Sequence, residues 1–358
     1  MAKQKKKQQK KKGGRAIRYA IVIVVLILLA VGAREAWRYY HMIYGENVYG
    51  DKDKYVLYIP TGADFETVRD SLHQNSIIQD TASFRWVANQ MNYSKNIQPG
   101  RYYIKPGMSN RALLKLLRSG AKKPVKVTWQ KFRLKENYVS YISDKLELDS
   151  ASLMALLQDD VFLRQYGLTP ENVMVIFIPD TYEFYWNTSA SDFFDRMWKE
   201  YNKFWMDQRK RKAEQHNLTP VEATILASIL EEETQVEKEM SKIAGVYLNR
   251  LHNNWKLQAD PTVKYAVGDF SIRRVLDKHV NTESPYNTYR NQGIPPGPIC
   301  TPPINAIESV LNAEEHDYYY FCAKPDMSGE HVFAKTHRQH IRNARAFQRA
   351  LNERNIYQ

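Results

Sequence analysis

The spacing of apolar residues changes several times along the chain, and each change predicts an element. From Tyr19 to Ala33 the chain is apolar without a charged residue. That run is shorter than the ~20 residues that cross a bilayer core. Trp37, Tyr39 and Tyr40 extend it with interfacial aromatics, and Arg34 and Arg38 can snorkel. The reading is a transmembrane helix over residues 19–40. Tyr55–Ile59 then reads as a strand and Pro60-Thr-Gly62 as a turn. Phe65, Val68 and Leu72 share one face of the helix that follows, with Asp64 as N-cap. The unit recurs, with Arg101–Ile104 as strand, Lys105-Pro-Gly107 as turn and Ser109 as N-cap. Leu113, Leu116 and Leu117 form its apolar face, and Gly120 closes its helix. A weaker third copy starts at Val125-Lys-Val-Thr-Trp129, and Thr81–Met91 reads as a helix between the first two.

Residues 139–210 are mostly helical in pattern, interrupted at Phe177-Ile-Pro-Asp-Thr-Tyr-Glu-Phe184 by a short strand and turn. Thr219-Pro-Val-Glu222 is a helix start: Thr219 as N-cap, Pro220 at the first helical position, Glu222 closing a capping box. In that register Ile225, Leu226, Ile229 and Leu230 make an apolar stripe. At about 100° per residue Glu233 falls near its middle, Glu231 on the solvent side, and Glu232 roughly a quarter-turn off. A carboxyl group against apolar walls holds its proton to higher pH and can serve as a general acid. The alternative is a helix that ends in a solvated acidic cluster. A second amphipathic helix carries Ile243, Val246, Tyr247 and Leu251 and stops at Asn253-Asn254. Beyond it the chain is loop-rich through the prolines at 295, 296, 298, 302 and 303. Tyr318–Cys322 is the clearest late strand, and a basic helix begins near His340. The fold class is α+β.

Composition changes the picture in three places. The 358 residues are enough for two or three domains. The net charge of +13 is concentrated: nine Lys and Arg lie between Lys3 and Arg18, and no acid precedes Glu35. A basic tail alone suggests nucleic acid. Beside a membrane segment it predicts topology instead, with tail and N-terminus in the cytoplasm and the remainder outside, so no nucleic-acid partner is expected. A cleaved signal peptide is the competing reading, opposed by the long tail and the lack of a small-x-small cleavage site. The only cysteines, Cys300 and Cys322, sit in apolar surroundings that favour free thiols over a bridge. The nine histidines are scattered, so no metal site is expected, nor any cofactor.

Several segments together resemble the membrane-anchored endolytic murein transglycosylases, the YceG-like family. They are Ala227-Ser-Ile-Leu-Glu-Glu-Glu-Thr234, Leu257-Gln-Ala-Asp-Pro-Thr-Val263 with Tyr265, Ser284-Pro-Tyr-Asn-Thr-Tyr289, and Gly293-Ile-Pro-Pro-Gly-Pro-Ile299. Phe177-Ile-Pro-Asp-Thr-Tyr182, Tyr320-Phe321 and Gly329-Glu-His-Val-Phe333 also match. The resemblance spans residues 19–350, and its strength lies in the order of the motifs. It implies a cytoplasmic tail (1–18), an anchor (19–40), a LysM-like domain (50–130), a helical connecting region (131–210) and a catalytic domain (211–358). The family's catalytic glutamate directly precedes Thr, which here is Glu233. Cys300-Thr-Pro-Pro303 departs from the family, where glycine is usual in place of Pro303, and the shape of that loop is open.

The implied reaction cuts the β-1,4 bond between N-acetylmuramic acid and N-acetylglucosamine without water. The sugar's own 6-hydroxyl attacks C1 and leaves a 1,6-anhydro end. Gln258, Asp260, Tyr286, Asn287 and Tyr289 are the candidate substrate-binding residues. Asp260 as a helix N-cap, Asn287 as a turn residue and both tyrosines as packing are the structural alternatives. Glu231 reads as a surface or supporting residue. The partners implied are peptidoglycan strands, the cytoplasmic membrane and wall synthases. Two rivals remain: a hydrolytic muramidase, with Asp260 as the only motif-borne second carboxylate, and a non-catalytic wall-binding scaffold.

Overall fold

The computed structural model describes residues 2–354, with side chains from Ile17 onward; the side chains of most of the basic tail lie outside that range. The chain divides into two compact units. One runs to Pro124 and takes back Tyr185–Asn187; the other holds Val125–Phe184 and Thr188 onward.

The first unit begins with helix α1 (Ala2–Tyr44). Its stretch Ile17–Tyr44 is long and apolar enough to cross a membrane, and none of its most apolar window is buried in the protein. The helix outlasts the expected anchor because its end is tied down: Asn110 Nδ2 donates to Met42 O at 2.9 Å, and Asn47 Nδ2 to Asn110 Oδ1 at 2.7 Å. Strand β1 (Tyr55–Ile59), helices α2 (Phe65–Gln74) and α3 (Thr81–Gln90), strand β2 (Gly100–Ile104) and helix α4 (Asn110–Arg118) follow. The two strands pair antiparallel with Leu57 opposite Tyr102. Leu57, Ile59, Tyr102 and Ile104 point inward with Val68, Leu72 and Leu113, while Val56 and Tyr58 stay exposed. Period-two alternation on a sheet with one covered face produces that split. The expected caps form: Asp64 accepts from Thr67 N and Ser109 from Ala112 N.

The second unit is largely helical: β3 (Val125–Thr128), α5 (Lys135–Lys145), α6 (Ser150–Leu156), α7 (Asp160–Arg164), β4 (Thr181–Phe184), α8 (Ala190–Phe204), α9 (Asp207–Gln215), α10 (Pro220–Glu233), α11 (Met240–His252), α12 (Asp260–Val267), α13 (Asp277–Val280), α14 (Ile304–Leu311), β5 (Tyr320–Ala323), β6 (His331–Ala334) and α15 (His337–Glu353). The expected third strand-and-helix copy is corrected here. Val125–Thr128 is a strand, but it pairs antiparallel with β4 inside this unit, and its next helix starts only at Lys135. Residues 125–184 share one core with α10 and α11, built around Tyr138, Phe177, Phe193, Phe194 and Trp205.

Helix α10 is the axis of that core. Its capping box forms as read: Thr219 Oγ1 accepts from Glu222 N, and the Glu222 carboxylate accepts from Thr219 N. The proline-rich loop clamps it, since Ile299 N donates to Ser228 Oγ at 3.0 Å. Gly297 lies there so close to other backbone that an added Cβ would sit 1.9 Å from Glu171 O, which only glycine avoids. Pro303 is the N-cap of α14 with φ −69°. That is the angle a proline ring imposes, so the backbone there does not need the glycine usual in the family.

Candidate active site

Residues Ala223–Leu230 of α10 are all buried. A helix covered on every side is a core helix, so helical phase alone does not single out one glutamate, and the expectation that Glu231 faces solvent is corrected. Lys131 reaches Glu231 at 3.2 Å and Glu232 at 3.0 Å, and Arg133 reaches Glu232 at 2.7 Å. Burial alone would raise the Glu232 pKa; the Arg133 and Lys131 hydrogen bonds and charges outweigh it and hold it below the usual value.

Glu233, the last residue of α10, has no cationic partner within ion-pair distance among the described residues. Tyr247 of α11 donates to its Oε1. No hydrogen bond reaches its other oxygen among the described residues, and the residue lines an open cleft of about 400 Å³. Burial raises the Glu233 pKa to about 7; the Tyr247 hydrogen bond pulls down, the Asp260 charge pushes up, and the Arg250 and Lys264 charges pull down. A carboxyl group at a helix C-terminus also meets the negative end of the helix dipole, which favours its neutral form. Near neutral pH Glu233 therefore has comparable protonated and ionised populations, which suits a group that must give and take a proton.

The loop between α11 and α12 builds one wall. Gln258 holds a left-handed φ of +51°, a cost of order 1 kcal/mol for a non-glycine residue that recurs at functional sites. Buried hydroxyls lock the loop: Ala259 N donates to Thr288 Oγ1 at 3.0 Å, and Thr262 Oγ1 meets Thr288 Oγ1 at 2.8 Å. Asp260 is the first residue of α12, whose N-cap is Ala259. Its Oδ1 is thus available to accept from Tyr289 Oη, at 2.6 Å. Gln258, Asp260 and Tyr289 line the cleft with Glu233.

Two expected substrate-binding residues lie elsewhere. Asn287 is completely buried. It donates to Val280 O and Thr282 O, both at 2.8 Å, and accepts from Tyr289 N. It shapes the turn that carries Tyr289, because a buried amide satisfied this fully has nothing left for a sugar. Tyr286 packs its ring on Tyr265 with centroids 4.8 Å apart and is not among the residues around Glu233. Cleft residues that sequence reasoning missed are Tyr247, Arg250, Tyr320, Phe321, His337 and His340. Tyr247 was visible only as part of an apolar helical face. A tyrosine is amphipathic, and its packing does not reveal where its hydroxyl goes. Outside the cleft Trp255 packs on Tyr319 and Tyr320, with centroids 5.0 and 6.1 Å away. Cys300 and Cys322 are both free thiols.

The YceG-like family model matches residues 57–346, a stretch that includes every residue lining the Glu233 cleft. The chain belongs to the YceG-like family. Among its relatives is an endolytic murein transglycosylase of Bacillus subtilis, 30% identical over 312 residues, covering 83% of this chain and 85% of that protein. Another endolytic murein transglycosylase, from Streptococcus pneumoniae D39, is 27% identical over 81% of this chain. The chain spans 58% of that longer protein. A crystal structure of a yceG-like protein from Listeria monocytogenes superposes with a TM-score of 0.53 at 26% identity, over 82% of this chain and 99% of that one.

Proposed function

We infer that the protein is an endolytic murein transglycosylase, with Glu233 as its single general acid and base. The observation that carries the reading is a cleft carboxyl group left without a cation, poised near pH 7, beside two glutamates that are each paired. In the proposed reaction Glu233 gives its proton to the oxygen leaving the muramic C1, and that C–O bond breaks. The 6-hydroxyl oxygen of the same sugar bonds to C1, and its proton passes to the Glu233 carboxylate. Glu233 ends as it began, and no water enters. The nucleophile is tethered, so proximity supplies much of the acceleration. Gln258, Asp260 and Tyr289 would hold the sugar, and Tyr247 would orient the carboxyl group.

The proposed division of labour follows the chain. Helix α1 anchors the protein in the cytoplasmic membrane, with the basic tail inside and the chain that follows the helix outside. The first unit is a LysM-like glycan-binding module; the exposed Tyr58, whose ring meets Trp186 at 4.9 Å, supports a sugar-stacking face. Wall synthases are the proposed partners. The test is mass spectrometry of products released from intact sacculi by the detergent-solubilised chain and by its Glu233→Gln variant. Anhydromuramyl ends from the unmodified protein alone are expected. Reducing ends would instead establish a muramidase, the reading favoured by the presence of Asp260 in the same cleft. Unchanged behaviour of Glu233→Gln would leave only the scaffold.

A further inference from the structure

Arg250 is a further charged group in the Glu233 cleft, and the reaction just described gives it no task. It is 7% exposed and forms no ion pair with any carboxylate among the described residues. Two carbonyls brace it: Nε donates to Tyr319 O at 2.7 Å, and Nη1 donates to Leu257 O. Nη2 has no hydrogen-bond partner among the described residues, and the residue lines the cleft. A buried guanidinium without a counter-ion is costly, and a feature of that kind beside a cleft marks a place where an anion belongs.

Three more cleft residues crowd the same corner. The Tyr320 ring centroid lies 5.3 Å from Arg250 Cζ, stacks on His340 at 5.3 Å, and meets His337 at 5.8 Å. His340 Nδ1 is buried with no hydrogen-bond partner. Burial first, then the His337 and Arg250 charges, lower the His340 pKa. The corner thus joins a fixed cation to two imidazoles around an aromatic face, with an unsatisfied ring nitrogen.

We propose that Arg250, His337 and His340 form a subsite for a carboxylate carried on the lactyl substituent of a muramyl residue, so that the cleft selects acid-bearing strands. This rests on the peptidoglycan reading above. Two sources share the chemistry: the free lactyl carboxylate of a peptide-stripped strand, and the carboxylates of an intact stem peptide. An arriving carboxylate would favour protonated His340, whose facing charged and titratable groups are His337, Arg250 and Tyr320. Binding would then take up a proton.

The test uses the full-length Glu233→Gln protein in detergent micelles, which removes cleavage and the Glu233 titration together. It is titrated with chitin oligomers, which carry no carboxylate, with peptide-free murein strands, and with peptide-bearing ones. At least one murein strand is expected to bind roughly tenfold more tightly than chitin, and which one identifies the carboxylate. Adding His337→Gln and His340→Gln should remove most of that preference and leave chitin binding unchanged. The preference should fall between about pH 5.5 and about 7.5, and should do so only with the histidines present. Arg250→Lys, checked for folding by its melting temperature, should weaken murein binding alone. Equal affinity for all three glycans would overturn the subsite, as would histidine variants that weaken chitin as much as murein. An unmodified protein that cuts no murein, with the preference intact in Glu233→Gln, would overturn the transglycosylase reading and leave the subsite standing.

Discussion

Two adjacent residues at one helix end show opposite chemistry. On one side of the α10 C-terminus, Glu232 is clamped by Lys131 and Arg133 and kept ionised. On the other, Glu233 has a tyrosine hydroxyl and a cleft, and burial carries it to about pH 7. Residue type and helix are shared. The differences are the deeper burial of Glu233 and the cations within ion-pair reach of Glu232. A carboxylate with two cations is held ionised, and a buried one without any keeps its proton to higher pH.

The sharpest way to break that contrast is Glu233→Gln against Glu232→Gln. The first should reduce the rate of glycan cleavage about a thousandfold and the second less than about tenfold, both read as anhydro ends formed per unit time. Stability should show the inverse. The Glu233 pKa rises from 4.5 to about 7 on folding, so its neutral form is favoured in the fold. The stability it contributes is complete below pH 4.5 and is lost as pH rises through about 7. Glu233→Gln should therefore equal the unmodified protein in acid and exceed it by about 3 kcal/mol in mild alkali, measured by urea unfolding at both ends of that range.

The paired side makes the opposite prediction. Lys131→Met with Arg133→Met strands Glu232 without a cation and should cost about 2 kcal/mol or more at neutral pH. The Glu232 pKa is lowered by folding from 4.5. The stability it contributes is present above that value and lost as pH falls through the folded pKa, so the penalty of the double variant should fade in acid. Smaller effects would sharpen the comparison. Tyr247→Phe removes the hydrogen bond that pulls the Glu233 pKa down. The alkaline limb of the pH–rate profile should move upward, with a roughly tenfold loss of kcat. Asp260→Asn removes a like charge and should move that limb downward by less than about one pH unit. An unmoved limb in both variants would mean that another group titrates.

Much of the frame was legible because local rules act over a few residues. The capping box at Thr219, the caps at Asp64 and Ser109, and the strands at Tyr55–Ile59 and Arg101–Ile104 came from short-range chemistry. The second helix, with Ile243 and Leu251, runs Met240–His252 and stops at Asn253 as its pattern indicates. Pairing partners are another matter. Val125–Thr128 resembles an extra copy of a repeat by its local pattern, yet it joins a strand more than 50 residues away, because strand pairing is a long-range choice.

The site divides in the same way. The sequence by itself determined that Glu233 ends a strongly capped apolar helix, that a long apolar segment lies near the N-terminus, and which loop motifs accompany them. Those properties depend on neighbours a few positions apart. Only the tertiary structure decided that Asp260, Gln258 and Tyr289 meet Glu233 while Asn287 turns inward and Tyr286 packs elsewhere. It alone brought Lys131 and Arg133, about a hundred residues upstream, to Glu231 and Glu232 rather than to Glu233. The physical reason is that a carboxyl group's proton affinity is set within a few ångströms by charge and solvent, and chain folding, not chain order, chooses what stands there.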